Sequence, residues 1–157
     1  MAILDFHNNG YDWLSNFYKV EFVWEGIIWP SSEHAYQAAK VLDKPTRLEI
    51  SRIHSPGKVK KLGKTLLLRE DWDEVRIPIM IEILRAKFRQ NPELKQKLVE
   101  TGFEHLEEGN NWGDRFWGVS PIGSEQGMNH LGLILMDLRD EFRDELNEHP
   151  TRWLLII

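Results

Sequence analysis

The sequence predicts a mainly α fold, a compact helical domain with a small N-terminal β-hairpin. Three observations carry that expectation. Apolar residues recur at helical spacing in two long segments, Ile77, Ile81, Leu84 and Phe88, then Leu131, Leu135, Leu138 and Phe142. β-Branched and aromatic residues cluster about a turn near the N-terminus, in Val20-Glu21-Phe22-Val23-Trp24 and Ile27-Ile28-Trp29 around Glu25-Gly26. Proline, serine and asparagine punctuate the helical segments at their starts.

Taken in order, the hairpin comes first. Pro30-Ser31-Ser32 then stops extended structure and supplies hydroxyl caps for a helix running to about residue 42. A short helix follows Pro45, and another spans about 57–65. The first long period predicts a helix over about 76–90, with Met80 beside its stripe. Asn91-Pro92 breaks it, and 93–101 reads as a short helix ended at Gly102. Residues 110–127, rich in Gly and Trp, read as loop, and Asn129 reads as the cap of the last long helix.

Composition narrows the function classes. A chain of 157 residues is about one domain's worth, and 41% hydrophobic content argues against disorder. With no cysteine there is no disulfide, thiolate zinc site or cysteine nucleophile. The six histidines show no metal-ligand spacing, so no metal is expected. Ser31 and Ser32 lack a nucleophile elbow, which disfavours serine hydrolase chemistry. No apolar run approaches the ~18 residues of a membrane span, and the N-terminus lacks signal-peptide features, so a cytoplasmic protein is expected. A formal net charge of −5 gives no support to generic binding of duplex nucleic acid. Lys58, Lys60, Lys61 and Lys64 form a local basic cluster, readable as a solvated helix face or as a phosphate contact near a pocket.

Four features carry candidate chemistry. On the Ser-capped helix, Glu33, Gln37 and Lys40 fall in one stripe, since their offsets are four and seven, while Ala35, Ala38, Ala39 and Leu42 occupy the opposite side. A solvent-facing polar ladder would give the same pattern. Trp29 and Tyr36 beside it are more typical of a pocket wall. In the second segment, Trp112-Gly113-Asp114 and Trp117-Gly118 offer ring faces for stacking a heterocycle around one carboxylate, and a packed loop remains the alternative. In the third, Asn129 opens a helix whose N-terminal N–H groups would seat phosphate, although neither a P-loop nor a dinucleotide glycine pattern is present. Lys87 lies at the edge of an apolar stripe, where a lysine either snorkels outward or borders a cleft.

Together these segments resemble the NADAR superfamily, the YbiA-like proteins. The resemblance rests on Leu14-Ser15-Asn16-Phe17-Tyr18, then Trp29-Pro30-Ser31-Ser32-Glu33-His34-Ala35-Tyr36-Gln37-Ala38-Ala39-Lys40. It continues through Asp71-Trp72, Met80, Lys87-Phe88, Leu98, Thr101-Gly102, Trp112-Gly113-Asp114, Trp117-Gly118, Asn129-His130-Leu131-Gly132, Leu135-Met136 and Arg139. It implies one domain over 1–157, with a core at 10–143 and an extension at 144–157. It also implies an N-glycosidase needing no cofactor, which hydrolyses the ribosyl C1–N bond of phosphoribosylated amines such as aminopyrimidine intermediates of riboflavin synthesis. The alternatives it leaves are removal of ADP-ribose from guanine in nucleic acid, and a non-catalytic sensor of ADP-ribose or another NAD-derived nucleotide.

On the same resemblance Glu33 is the active-site carboxylate, a lysine (Lys40 first, Lys87 second) reacts with the sugar, and Asp114 joins the catalytic set. Trp29, Ser32, Tyr36, Gln37, Trp112, Gly113, Trp117 and Asn129 would bind substrate. Two stretches depart from the pattern. Residues 120–127 are longer than the family's connection, which implies a different pocket rim. Residues 151–157, five of the seven apolar, lie beyond the resemblance and would pack back on the domain or into a second chain.

Overall fold

The hairpin forms where the pattern places it. In the computed structural model, which describes residues 1–148, β1 (Phe22–Trp24) and β2 (Ile27–Trp29) pair antiparallel, with Phe22 opposite Trp29. The turn residues Glu25 and Gly26 have φ of 50° and 76°, the left-handed geometry that matches the twist of a two-residue hairpin. Period-two alternation buries Phe22, Trp24, Ile27 and Trp29 and exposes Val23 and Ile28. The carboxamide of Gln90 donates to the Val23 carbonyl at 2.8 Å and accepts from its N–H at 2.7 Å, so a side chain blunts the edge of β1.

Six α-helices follow among the described residues: α1 (Ser32–Ala38), α2 (Lys44–Ser51), α3 (Pro56–Gly63), α4 (Trp72–Gln90), α5 (Pro92–Glu100) and α6 (His130–Glu148). Their starts obey local chemistry. Ser31, Asp43 and Ser55 accept from the N–H groups of His34, Thr46 and Lys58, and proline opens α2, α3 and α5. Each such cap contributes about 1 kcal/mol.

The chain divides into two compact units, Asn16–Gln90 and a second made of Met1–Ser15 with the chain from Asn91 onward. In the first, α1 packs against α2, α3, α4 and β2. In the second, Ile3 bridges to Leu106, α5 packs on α6, and α6 buries Leu131, Ile134, Leu135, Leu138 and Phe142. No described helix is long and apolar enough to cross a membrane.

Four expectations change. The first helix stops at Ala38, short of residue 42, because the N–H groups of Lys40 and Val41 turn back to Gln37 and Ala38 in tight i→i+3 bonds. The Lys40 carbonyl then accepts from Arg69 N–H, and Leu42 is exposed and off the alanine-lined side. The buried face of α4 is rotated from the expected stripe: Ile79, Met80, Ile83, Leu84, Lys87 and Phe88 point inward, whereas Ile77 and Ile81 are half-buried. Lys87 therefore does not snorkel; it is wholly buried. The Asn129 side chain does not cap its own helix. Its Oδ1 accepts from Glu108 N–H and its Nδ2 donates to the Leu106 carbonyl, because φ of 52° aims it back at that segment. The apolar tail at 151–157 lies outside the described residues.

His34 is the titratable group most firmly built into α1. Its Nε2–H donates to the Ile53 carbonyl at 2.7 Å, and Nδ1 takes the Ser31 hydroxyl at 2.6 Å, so the neutral imidazole completes the cap. Burial holds its pKa below the ordinary 6.5; the bond to Ile53 opposes this, and the charge of Lys19 adds to it. The unfolded chain thus binds this proton more readily than the folded one. The His34 contribution to stability is complete above about pH 6.5 and is lost as pH falls below it. We expect the Tm of the wild type to drop more steeply between pH 7.5 and 5.5 than that of His34→Gln; parallel slopes would assign the decline to other groups.

Candidate active site

The α1 segment carries a buried set of polar side chains, Ser32, Glu33, His34 and Gln37. All seven of its residues are buried, because small alanines let α2, α3 and α4 approach closely. The solvent-facing ladder is thereby excluded, and Glu33 is only 6% exposed. A buried carboxylate requires partners. Gln37 Nε2, one turn on, donates to Glu33 Oε1 at 2.7 Å. Gln37 itself lies against Gly63 of α3: a Cβ at position 63 would sit 1.8 Å from Gln37 Oε1. That oxygen has no hydrogen-bond partner despite its burial.

Lys40 stands just past the end of α1. Its Nζ lies 3.4 Å from the Gly63 carbonyl and 5.8 Å from the centre of the Tyr36 ring. Burial pushes the Lys40 ammonium below the ordinary lysine pKa; the Glu33 charge opposes this, and Lys64 adds to it. Tyr36 in turn packs on Trp72 with ring centres 5.3 Å apart. Lys87, on α4, is buried with its Nζ 5.3 Å from the Phe88 ring centre and 5.8 Å from that of Tyr18. Of the basic cluster, Lys58, Lys61 and Lys64 are exposed, and Lys60 lies over the Phe17 ring at 5.6 Å.

Two expected binding residues have structural partners. Trp29 is wholly buried, and its indole N–H donates to the Trp24 carbonyl at 3.0 Å, within the hairpin. The Ser32 hydroxyl, also wholly buried, donates to Asn16 Oδ1 at 2.9 Å. Asn16 was not among the expected site residues, although it lies in the first run that carries the resemblance. Gly63 was not either. Its sequence signal is a glycine inside a helical segment, a placement that costs roughly 1 kcal/mol and needs a packing reason.

The remaining expected residues belong to the other unit, in a loop bonded mainly to itself. Asn110, wholly buried, accepts from the N–H groups of Trp112 and Asp114 and donates to the Asp114 carbonyl at 2.8 Å. Asp114 Oδ1 accepts from the N–H groups of Phe116 and Trp117 at 3.1 and 3.0 Å, an Asx turn. Gly113, at φ 87°, donates to the Ser120 hydroxyl. These bonds leave Trp112 54% exposed, with His7 edge-on at 5.0 Å, and Trp117 half-buried against Phe116 and His130. Residues 120–127 fold back, with Ser120 N–H donating to the Gln126 carbonyl.

The start of α6 differs from a phosphate seat. The N–H groups of Asn129, His130 and Leu131 already donate to the carbonyls of Gly118, Phe116 and Trp117. Loop carbonyls satisfy the donors that an anion would need.

Comparison with known proteins supplies the family. The NADAR domain model matches residues 5–143. The N-glycosidase YbiA of Escherichia coli (strain K12) is 36% identical over 152 residues, covering 92% of this chain and 91% of that protein. An N-glycosidase of Nostoc punctiforme is 36% identical over 142 residues, covering 87% and 89%. A riboflavin biosynthesis protein of Vibrio vulnificus is 37% identical over 158 residues, covering 93% of this chain but 42% of that longer protein. The NMR structure of the E. coli protein YbiA superposes with a TM-score of 0.82 at 37% identity, covering 94% of this chain and 89% of that one. The mainly helical fold with its small antiparallel sheet is thus the YbiA fold, and the chain belongs to the NADAR family, homologous to the YbiA N-glycosidases.

Proposed function

We propose that this chain is an N-glycosidase that hydrolyses the ribosyl C1–N bond of phosphoribosylated amines, with riboflavin-pathway aminopyrimidine intermediates as the reference substrates. Hydrolase activity of the N-glycosidase type follows from its homology to the YbiA proteins. A relative named for riboflavin biosynthesis supports the substrate class. The observation that carries the reading is the Glu33 carboxylate, buried, clamped by Gln37 and within electrostatic reach of a lysine whose pKa is lowered by burial.

Those groups suffice for the chemistry. In the covalent route the neutral amine of Lys40 adds to C1 of the ring-opened ribosyl imine, and the substrate amine leaves with a proton supplied by Glu33. The resulting Schiff base takes up water, releases ribose phosphate and regenerates the lysine. The sum is one C–N bond and one water consumed, with one amine and one free sugar phosphate formed. Lowering the lysine pKa raises the fraction of nucleophilic amine at neutral pH. In the carboxylate route Glu33 protonates the departing nitrogen as the C1–N bond breaks, and a carboxylate stabilises positive character at C1. Water adds to C1 with its proton returning to Glu33, giving the free amine and the free sugar phosphate. Lys87 is the second candidate for the amine. On the family resemblance alone, Asp114 belongs to the catalytic set, and Trp112, Gly113, Trp117 and Asn129 bind substrate.

Three outcomes test this reading. Incubated with an aminopyrimidine ribosyl phosphate, wild type should release free ribose phosphate, and Glu33→Gln should be slower by about 10²–10⁴-fold. Equal rates would remove Glu33 from the mechanism, and faster turnover of an oligonucleotide bearing ADP-ribosyl-guanine would move the substrate to nucleic acid. Borohydride added during turnover should leave a reduced sugar adduct on Lys40 that Lys40→Met lacks; an adduct on Lys87 would exchange the two lysines, and none on either would leave the carboxylate route. Gly63→Ala should displace the Gln37 clamp and slow turnover on the order of 10²-fold, with an overpacking loss of about 1–3 kcal/mol. Adding Gln37→Ala should restore Tm but not rate; a Tm that stays low would show that the crowded atom is another one.

A further inference from the structure

Glu33 is held at two points, and only one is its side chain. The second nitrogen of α1 is the Glu33 N–H, which by its place in the first turn has no intrahelical acceptor. Ser31, the N-cap, spends its hydroxyl on the third nitrogen, that of His34. The Glu33 N–H instead donates to the main-chain carbonyl of Asn16 at 3.0 Å, well upstream in the sequence.

Asn16 is buried, and both ends of its side-chain amide have a partner around the same turn. Oδ1 accepts the Ser32 hydroxyl at 2.9 Å, and Nδ2 points to Met80 Sδ of α4 at 3.7 Å. Asparagine offers an acceptor and a donor on one short, uncharged side chain. Aspartate would place a second carboxylate beside Glu33, and an aliphatic residue would take the acceptor from the Ser32 hydroxyl.

We propose that Asn16 is a positioning residue for the Glu33 carboxylate: its side chain, braced between Ser32 and Met80, fixes the carbonyl that holds the Glu33 backbone and so keeps the carboxylate in register with Gln37. This rests on the assignment of Glu33 as the working carboxylate. Without the Asn16 side chain the first turn of α1 loses its brace, and the Gln37–Glu33 bond loosens. Because that bond favours the charged carboxylate, its loss raises the Glu33 titration midpoint.

The test pairs kinetics with a direct view of Glu33. Asn16→Ala should lower kcat about 10–100-fold, in keeping with a small misplacement of a reacting group, while KM changes little. Titration of the 13C-labelled Glu33 side chain by NMR should show a midpoint raised relative to wild type. Should Asn16→Ala melt too low for assay, Asn16→Ser is read by the same two quantities. A lowered kcat with an unmoved Glu33 midpoint would make Asn16 a merely structural residue and overturn the proposal, as would no change in either. Wild-type turnover by Glu33→Gln is a separate result: it would sink the catalytic role of Glu33 itself, while a raised midpoint in Asn16→Ala would still establish the positioning contact.

Discussion

The burial of α1 is the constraint on which the site depends. A seven-residue helix with all its side chains inside must satisfy its polar groups from within the protein, because water cannot reach them. Its partners come both from its own turns and from segments packed against it, and Gln37 Oε1 is left without one. Ser31 caps His34 and accepts the imidazole as neighbour, His34 reaches the Ile53 carbonyl past α2, Ser32 and the Glu33 backbone bond to Asn16, and Gln37 bonds to Glu33. Placement of the carboxylate is therefore a by-product of burying the helix that carries it.

The same burial shapes the charges. Lys40 emerges where α1 ends, half-covered, and loses part of the hydration that favours its ammonium form. The Glu33 charge, seven residues back along the chain, pulls the Lys40 ammonium in the opposite direction. Gly63 allows this closeness. Its missing side chain is the space Gln37 occupies, and its carbonyl faces the Lys40 ammonium. One glycine thus serves two polar groups that any larger residue would push apart.

The loop of the other unit follows a different economy of bonds. Asn110 and Asp114 turn the chain by accepting its own N–H groups, and the carbonyls of residues 116–118 then close the first turn of α6. An aromatic-rich segment without helix or strand keeps a defined shape in this way. The Trp112 and Trp117 rings are presented by hydrogen bonds in the backbone rather than by a surrounding core.

The sequence by itself determined the element types and singled out the candidate site residues. Period-two and period-3.6 patterns located the hairpin, α4 and α6; serine and proline located the helix starts; and the run from Trp29 to Lys40, with its resemblance, singled out Glu33. These are local properties, written in spacing and residue type. Three-dimensional packing decided the rest. The facing of α4, with Lys87 inside, depends on which neighbours surround it, and two adjacent stripes of a helix rich in isoleucine look alike in sequence. The early end of α1 depends on the Lys40 carbonyl meeting Arg69. Asn16 and Gly63 make their contacts 16 and 26 residues away along the chain, at Ser32 and Gln37. No periodicity encodes such contacts, because they exist only once folding brings distant backbone against a buried helix. The sequence named the carboxylate, and tertiary structure decided what holds it.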